Sequence, residues 1–379
     1  MALPARMEAA EMLDLSFNDE PSKKDVMMWN GFLQSVFKIN SGLRSNQAKV
    51  IHAFQEGRDC LHLLRTGGGK SITFQLPSVL EPGMLVLVIS PISALIREQV
   101  LKLQDLGVKA ALLGNDTDGN VDEMDNVQIL YMNPECLFTG SEPTKNMVRL
   151  KDRHQNGVKR ISLIAIDEAH KVFEWRSFRP AYAAVMQMKV HFPSVPLHMH
   201  TATMTKSMQE TSVTQILRNP VVLRFTTNRP NIYYRVLNYT PPTLSTQPDG
   251  SVRENWIQTA KSIVRNTNNM TALIYTSTAK SASALTASLL ELNKVAAFYK
   301  GRSHQTVSDR ESTQDNHLSG GLQYLCATSA YGVGIENPKD ENVLTVGMPG
   351  TCIEFIQQAG RVGRSGKDSM ASLLVGPYL

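Results

Sequence analysis

The chain has 379 residues, which is more than one ordinary hydrophobic core holds and predicts about two domains. Hydrophobic residues at 42% and charged residues at 19% are typical of a globular protein, and no apolar run approaches the roughly 20 residues that span a bilayer, which excludes a membrane protein. The net charge of +5 is compatible with a polyanionic partner without requiring one.

Two features indicate the cellular compartment. The amino-terminal segment "MALPARMEAAEMLDLSFNDEPSKKD" contains acidic residues throughout and lacks a basic start followed by an apolar core, so it does not resemble a secretory signal. The cysteines lie far apart with no CxxC pair, which argues against a disulfide framework and against a zinc module. We therefore expect an intracellular protein with reduced thiols at Cys60, Cys136, Cys326 and Cys352.

From about residue 30 onward, short apolar runs alternate with longer amphipathic segments, which is the rhythm of βαβ units. Runs that are apolar on both faces fit buried parallel strands, whose carboxyl-end loops share one edge of a sheet. Strands of a first α/β domain are predicted at CLHLL (60–64), MLVLVIS (84–90), QILYM (128–132), SLIAI (162–166) and LHMHTAT (197–203).

A second series of apolar runs begins after NRPN (228–231) and predicts a second α/β domain. We interpret residues 1–29 as an amino-terminal extension, 30–226 as the first domain and 227–379 as the second. The strands of the second domain are predicted at IYYRVLN (232–238), ALIYT (272–276), VAAFY (295–299), LQYLC (322–326), VLTVG (343–347) and ASLLV (371–375).

Two segments between these runs are predicted to be exposed. YTPPTLSTQPDGS (239–251) is a turn-rich insertion by its proline and glycine content. The acidic stretch NDTDGNVDEMDN (115–126) is interpreted as a solvated loop rather than a cation site, because runs of like charge usually face water.

The stretch HLLRTGGGKSITFQLP (62–77) allows two interpretations. Its three glycines could simply form a turn, or they could let backbone N–H groups face a polyphosphate while Lys70 and Ser71 open a helix. The stretch lacks the first glycine of the pattern GxxxxGK[ST], since position 64 is Leu64. These residues alone leave the choice open.

Downstream, LIAIDEAH (163–170) places Asp167 and Glu168 directly after a predicted strand, where two carboxylates can face a phosphate loop. Asp167 can hold Mg²⁺ together with the Ser71 hydroxyl, because this hard cation prefers oxygen ligands. Glu168 can orient and deprotonate the attacking water, while Lys70 neutralises the β- and γ-phosphates. The combination favours a site that binds and hydrolyses ATP.

Near the carboxyl end, QQAGRVGRSG (357–366) contains two arginines three positions apart. This spacing predicts that Arg361 and Arg364 lie on one side of a helical turn, where they could grip phosphate oxygens. The alternative is a solvated basic turn. If they do reach the nucleotide, they would act across a cleft between the domains, as arginine fingers supplied by the same chain.

From residue 32 to 378 the chain resembles the RecQ-type DNA helicases of helicase superfamily two. The resemblance implies two tandem RecA-like domains of the P-loop NTPase class, each a mostly parallel sheet flanked by helices, with ATP and Mg²⁺ as cofactors. It is carried by FKINSGLRSNQ (37–47), LRTGGGKSITFQLP (64–77), VISPISALIREQV (88–100), LYMNPECL (130–137), DEAH (167–170), TAT (201–203), NRPNIYY (228–234), ALIYTSTAKSA (272–282), CATSAYGVGIENP (326–338) and QQAGRVGRSG (357–366).

The resemblance also implies roles for individual residues. It makes the missing first glycine a feature of the family, and it places Arg44 and Gln47 at the adenine base. Gln357 joins the two arginines as a catalytic residue. The implied phosphate loop consists of Thr66, Gly67, Gly68, Gly69, Lys70 and Ser71.

HKVFEWRSFRPAY (170–182) resembles the aromatic-rich loop of RecQ enzymes, although it is one residue shorter between Trp175 and Phe178. Aromatic side chains are more often core than contact, so a packing role stays open. Interleaving with Lys171, Arg176 and Arg179 favours base stacking with phosphate contacts around it. The predicted DNA-contacting residues are Phe173, Trp175, Phe178 and Arg179, with Tyr182 in the same loop. The shortening puts the strength of coupling to hydrolysis in doubt.

Taken together, the resemblance implies a monomeric motor that moves 3′ to 5′ on single-stranded and forked DNA in recombination or repair, in the nucleus if the organism is eukaryotic. Protein partners are not indicated. An RNA helicase and a non-catalytic nucleic-acid-binding remnant are the alternatives. Relatives commonly continue into a zinc-binding module and a winged helix, and this sequence ends at Leu379 without them. We therefore expect a bare motor or a fragment that separates long duplexes poorly.

Overall fold

The computed structural model describes residues 20–91, 93–114, 125–238, 255–266, 271–292, 295–299, 305–328, 331, 337 and 339–376. It divides the chain between Asn228 and Arg229 into two compact units. Several predicted segments lie wholly or partly outside the described residues. They are most of the extension 1–29, most of the acidic stretch 115–126, the whole insertion 239–251, and much of the segment 326–338.

The first unit contains a sheet of seven strands among the described residues, in which every neighbouring pair is parallel. A short antiparallel hairpin lies outside this sheet. In the order of the sheet the strands are β3 (Ala110–Leu113), β4 (Ile129–Met132), β2 (Leu85–Ile89), β7 (Ile161–Ile166), β8 (Leu197–Thr201), β1 (Cys60–Leu63) and β9 (Val221–Arg224); the hairpin is β5 (Phe138–Thr139) and β6 (Glu142–Pro143).

Helices fill the connections between these strands, as a parallel sheet requires. A π-helical turn, Ser212–Ile216, continues the last of them. The helices are α1 (Lys23–Ser35), α2 (Ser45–Gln55), α3 (Ile72–Gln75), α4 (Pro77–Leu80), α5 (Ser93–Asp105), α6 (Pro134–Leu137), α7 (Lys145–Gln155), α8 (His170–Trp175), α9 (Pro180–Val185), α10 (Met188–His191) and α11 (Lys206–Thr211).

The sheet of the first unit is covered on both faces, because side chains alternate along each strand. Leu87 of β2 and Ile164 of β7 belong to the apolar cluster on one face. Their chain neighbours Val86 and Leu163 belong to the cluster on the other face. All positions of β2 and β7 are buried, which explains why these strands read as continuous apolar runs.

The second unit repeats this architecture with a six-stranded parallel sheet in the described part of the chain. In sheet order its strands are β10 (Ile232–Asn238), β15 (Ser369–Val375), β14 (Asn342–Val346), β11 (Ala272–Thr276), β13 (Tyr324–Ala327) and β12 (Ala296–Tyr299). Its helices are α12 (Asn255–Asn266), α13 (Ala279–Leu290), α14 (Val307–Ser319) and α15 (Cys352–Ala359).

The predicted fold class, two α/β units with mostly parallel sheets, is confirmed. The sequence did not predict β3 and β9, which are the two edge strands of the first sheet. Each has only four residues, and the two central residues of β3 are only partly buried. Their uninterrupted apolar runs, AALL and VVL, are shorter than the apolar runs from which the other strands were predicted. Across the described residues, none of the helices has the length and apolar character that a membrane span requires.

Three histidines lie buried on one face of the paired strands β1 and β8. His62 and His200 are register partners, and their Nδ1 atoms lie 3.1 Å apart, so one ring donates a hydrogen bond to the other. His198 Nε2 donates to the Arg58 carbonyl over 3.0 Å. Burial is the main cause that lowers the pKa of His62 to about 3 and that of His198 to about 4, and it lowers the pKa of His200 well below its usual value. All three rings are therefore neutral in the folded protein near neutral pH.

Because the pKa values of these three histidines are lowered in the folded protein, we expect the first unit to lose stability in acid. Below the ordinary histidine pKa of about 6.5 the unfolded chain binds protons that the folded chain does not, so stability falls as the pH drops from about 7 toward about 5. We expect a variant with His62→Leu, His198→Met and His200→Leu to lose fewer degrees of melting temperature than the parent between about pH 7.5 and about pH 5.5, followed by circular dichroism. The other titrating groups are common to both proteins and cancel in the comparison. An equal acid shift in both would contradict this assignment.

Candidate active site

The glycine-rich stretch forms a tight loop between β1 and α3. Gly67 and Gly69 have φ angles of 74° and 80°, in the left-handed region that favours glycine. The Gly68 N–H donates to the Arg65 carbonyl over 3.0 Å, which closes the turn. The Gln75 N–H donates to the Ser71 carbonyl over 3.0 Å, so the chain enters the helix directly after the loop. The prediction of a glycine loop that opens a helix is confirmed in its backbone geometry.

Leu64 stands where the general pattern has glycine, and its side chain leaves no room for a Cβ at Gly68. A Cβ added at Gly68 would lie 2.6 Å from Leu64 Cγ and 2.8 Å from the Arg65 carbonyl oxygen. The Leu64 side chain thus packs directly beneath the turn, and it is itself buried.

The predicted adenine-contacting residues lie against this loop. Arg44 Nη1 donates to the Gly68 carbonyl over 2.7 Å, and Gln47 Nε2 donates to the Gly69 carbonyl over 3.1 Å. The Gln47 Oε1 accepts the Arg44 N–H over 2.9 Å and so fixes both residues at the start of α2. The structure therefore brings Arg44 and Gln47 together with the loop, while a contact with a base stays a prediction.

Asp167 and Glu168 follow β7 at the same edge of the sheet. The Asp167 N–H donates to the Ile89 carbonyl over 2.9 Å. Glu168 has a φ angle of 48°, which is rare for a residue with a side chain, and its N–H donates to Asp167 Oδ1 over 3.0 Å. Such a strained backbone persists only where its surroundings fix it, and it is common at functional sites.

The charge of Lys70 acts on Asp167. Burial and the neighbouring Glu168 raise the pKa of Asp167 to about 7, while Lys70 lowers it. Because β7 and β1 lie on either side of β8 and run parallel to it, the DEAH segment and the glycine loop leave the sheet at the same edge. Burial also makes a cation beside this carboxylate favourable, which fits the predicted role of Asp167 toward Mg²⁺.

His170 joins the DEAH segment to the TAT segment. Its Nδ1 lies 2.8 Å from Thr201 Oγ1 and 3.5 Å from Glu168 Oε2. Since the Thr201 hydroxyl donates to the Thr203 carbonyl over 2.9 Å, Nδ1 of His170 is the donor to Thr201. Burial lowers the pKa of His170 to about 4, so the ring is neutral and donates without adding charge. Sequence reasoning did not single out His170, although it is the last letter of DEAH.

In the aromatic segment, two of the three basic residues have acidic partners. Arg179 donates to Glu135 Oε1 from Nε over 2.7 Å and from Nη2 over 2.6 Å. Lys171 Nζ lies 2.6 Å from Glu174 Oε2. The Arg179 guanidinium also lies 5.0 Å from the ring centre of Trp175. The ion pair with Glu135 links this segment to α6, and no local sequence pattern indicated it.

The aromatic side chains of the segment divide between core and surface. Tyr182 is 1% exposed, and its hydroxyl donates to the Pro91 carbonyl over 3.3 Å. Phe173 is partly buried against the main apolar cluster. Trp175 is half-buried, with its ring centre 5.3 Å from that of Tyr182, whereas Phe178 is 65% exposed. Packing thus accounts for Tyr182 and Phe173, whereas the rings of Trp175 and Phe178 keep solvent-exposed surface.

The two arginines of the second unit lie beyond the end of α15, so the helical part of their prediction is wrong, while a shared side of the chain stays a prediction. α15 ends at Ala359, and Arg361 and Arg364 lie in the turns that follow it, with the Arg361 N–H donating to the Gln358 carbonyl over 3.1 Å. Gly363 takes a φ of 68°, and a Cβ there would lie 2.5 Å from Asn231 Nδ2, which donates to the Gly363 carbonyl over 2.7 Å. Arg361 is buried and Arg364 is half-buried. Gln357 lies on the last turn of α15 and is half-buried.

Comparison with known families matches two domains in this chain. A model described as "DEAD/DEAH box helicase" matches residues 44–211, and one described as "Helicase conserved C-terminal domain" matches residues 256–366. The Arabidopsis thaliana protein named "ATP-dependent DNA helicase Q-like 2" is 32% identical over 88% of this chain. The chain spans 47% of that relative's length, and 32% and 53% of two further relatives.

Solved structures show the same fold at low sequence identity. A structure titled "DUF1998 helicase MrfA bound to DNA and AMPPNP" has a TM-score of 0.72 and 17% identity, covering 91% of this chain and 50% of its own. Mss116p bound to single-stranded RNA and AMP-PNP has a TM-score of 0.68 and 18% identity, covering 95% and 76%. Each unit is therefore a RecA-like domain. With both helicase domains matched and relatives named as RecQ-like or Q-type DNA helicases along most of its length, the chain belongs to the RecQ-type group of the DEAD/DEAH box helicases.

Proposed function

We propose that this chain is an ATP-dependent DNA motor that moves 3′ to 5′ along single-stranded DNA. The observation that carries the proposal is that the glycine loop with Lys70 and the DEAH segment with Asp167 and Glu168 follow strands β1 and β7, which end at one edge of a parallel sheet, in a chain whose relatives are named as ATP-dependent DNA helicases. Residues 30–226 would form the ATP-binding domain, and residues 227–379 would form the second motor domain.

In this proposal the loop residues bind the triphosphate. Gly67 and Gly69 would present backbone N–H groups, while the Gly68 N–H holds the turn closed through the Arg65 carbonyl, and Lys70 would neutralise the phosphates farthest from the sugar. A Mg²⁺ ion held by Asp167 and Ser71 would supply positive charge to the phosphate oxygens. Within the described ranges no cluster of three or more His, Cys, Asp or Glu side chains is arranged to hold a metal ion. A nucleotide-bound Mg²⁺ needs only one or two protein oxygens, and Asp167 and Ser71 offer them.

Glu168 is the proposed general base. Its carboxylate is partly exposed, so a water molecule can reach it and would give up a proton to it. The neutral ring of His170 lies 3.5 Å from this carboxylate. The unusual backbone of Glu168 is fixed by the Ala169 N–H, which donates to the His200 carbonyl over 2.9 Å. The hydrogen bond from His170 to Thr201 then connects the base to the strand end that carries the TAT segment.

The remaining nucleotide contacts are proposals by family resemblance. Arg44 and Gln47 would contact the adenine, and Thr66 would lie beside the phosphates. Arg44 and Gln47 now bind carbonyls of the glycine loop, so the base would be sensed by residues that also brace the phosphate site. In the second unit, Gln357, Arg361 and Arg364 would complete catalysis by stabilising the charge that develops on the phosphates.

The aromatic segment is the proposed DNA sensor. Phe178 and Trp175 offer surface for stacking, and Arg179 and Phe173 would support them from behind. Similarity of fold does not decide between DNA and RNA, because the similar structures include complexes with each. The resemblance of this segment to the RecQ loop favours DNA.

Replacement of the proposed base tests the hydrolytic site. Glu168→Gln keeps the shape of the side chain and removes the base, so we expect ATP binding to persist while turnover falls by a factor on the order of 100 or more. Binding is measured with a fluorescent ATP analogue, and turnover by phosphate release. Lys70→Ala should lose both.

Glu56→Gln makes the same chemical change at an exposed position at the end of α2 and serves as the matched control. Full turnover in the Glu168 variant would remove this residue from the proposed mechanism.

Two aromatic variants separate stacking from packing. Phe178→Ala should leave the melting temperature unchanged. It should raise about ten-fold the concentration of single-stranded DNA that gives half-maximal stimulation of ATP turnover, because a stacked base contributes about 1–3 kcal/mol. Tyr182→Ala should lower the free energy of unfolding by about 3 kcal/mol, because it empties a buried site.

Met27→Ala, another exposed apolar position in the first unit, is the control for loss of surface area. A Phe178 variant with unchanged DNA dependence would exclude this side chain from the DNA surface.

A further inference from the structure

A pocket of about 580 Å³ opens on the first unit at the edge of the sheet opposite to the glycine loop. Three of its lining residues, Met84, Arg160 and Ser194, stand before the amino ends of β2, β7 and β8, so we call it the amino-edge pocket. Because β7 has six residues and a strand rises about 3.3 Å per residue, the two edges lie roughly 17 Å apart. The amino-edge pocket is therefore separate from the proposed nucleotide site.

The polar side chains around the amino-edge pocket can donate hydrogen bonds, and none of the described residues that line it is acidic. They are His154, Gln155, Arg160, His191 and Ser194. The side chains of Gln155, Arg160 and Ser194 form no hydrogen bond or ion pair with any other residue in the described part of the chain. A pocket of this volume with several free donors suits a ligand that accepts hydrogen bonds.

The two histidines of the amino-edge pocket are held in place by contacts that leave a ring nitrogen available. The Ile161 N–H donates to His154 Nδ1 over 3.0 Å, so in the neutral ring the proton is on Nε2, which is a donor. The ring centre of His154 lies 5.7 Å from that of Phe192. The ring centre of His191 lies 5.8 Å from that of Phe138. Both rings therefore have a fixed position at the wall of the pocket.

The charges that act on these two rings are positive. Burial lowers the pKa of His154, and the charge of Arg160 lowers it further. Burial also lowers the pKa of His191, and there the additional charge is that of Lys151. Among the described residues, no carboxylate acts to raise either pKa. A bound anion would supply the negative charge that this part of the surface lacks.

We propose that the amino-edge pocket binds a phosphate monoester group. Near neutral pH this group carries close to two negative charges and three terminal oxygens, so it matches the many donors around Arg160 better than a carboxylate with two oxygens. The pocket is larger than a phosphate group, so it also holds part of the molecule that carries the group. Both a phosphorylated side chain of a partner protein and a small phosphorylated molecule offer this chemistry. The inference does not depend on whether the chain hydrolyses ATP.

The test measures binding of a fluorescein-labelled peptide, Gly-Gly-phosphoserine-Gly-Gly, to the full chain by fluorescence polarisation. Peptides with serine or aspartate at the central position show what the phosphate contributes. We expect the phosphopeptide to bind more tightly than both. Arg160→Gln should raise its dissociation constant about ten-fold, because charge-assisted hydrogen bonds are lost. His191→Gln should raise it by a smaller factor.

Two further variants are controls for the position of the site. Arg218→Gln makes the same chemical change at an exposed arginine that precedes β9 at the same edge of the sheet and does not line the pocket. It should leave the dissociation constant unchanged. Lys70→Ala tests whether the glycine loop takes up the phosphate instead, and it should also leave the dissociation constant unchanged. The melting temperature of each variant shows whether it is folded.

Competition with unlabelled N-acetylphosphoserine distinguishes the two sources of the group. Displacement at the same concentration as the unlabelled phosphopeptide indicates a small phosphorylated molecule, whereas a requirement for a much higher concentration indicates a phosphorylated protein segment. Both results support the proposal. Equal binding of the phosphoserine peptide and either of the other two would overturn it, as would an unchanged dissociation constant in a folded Arg160→Gln variant. Loss of binding in Lys70→Ala would assign the phosphate to the glycine loop and would also overturn the proposal.

Discussion

Parallel pairing of β7, β8 and β1 is the constraint on which the candidate site depends. Leu63 pairs with Thr201, and Ile166 pairs with Met199, so three consecutive strands of the sheet end side by side. The loops that leave these ends carry Lys70, the DEAH segment and the TAT segment. A shift of one residue in either register would turn each side chain to the opposite face and separate these groups.

The same strand ends explain the electrostatics of the site. Asp167 is half-buried directly after β7, where burial and Glu168 raise its pKa and Lys70 lowers it. His170 is buried without charge and donates a hydrogen bond to Thr201. A hydrogen bond from a neutral ring therefore connects the DEAH segment to the end of β8.

The sequence predicted the central strands well because their positions are buried on both faces and read as continuous apolar runs. It missed β3 and β9, whose uninterrupted apolar runs are only AALL and VVL. It also predicted the glycine loop and the DEAH pair, because each is a short stretch of neighbouring residues that can be recognised without the fold. It could not predict the ion pair between Glu135 and Arg179, because the two residues meet only through the fold.

Composition could not separate the aromatic side chains of segment 170–182 either. Tyr182 and Phe178 are both aromatic residues beside basic ones, yet one is core and the other surface. Spacing misled in the case of Arg361 and Arg364, because α15 ends at Ala359 and Gly363 then takes a left-handed backbone. A spacing of three residues places two side chains on one side of a helix only where the helix includes both residues.

The central claim is that the edge of the first sheet is a hydrolytic site governed by DNA. The most direct test is the rate of ATP hydrolysis by the unmodified chain with no polymer, with single-stranded DNA and with single-stranded RNA of the same length. The account predicts a low basal rate that single-stranded DNA raises strongly and RNA raises little. Equal stimulation by RNA would contradict the DNA assignment, and no hydrolysis under any condition would contradict the hydrolytic site itself.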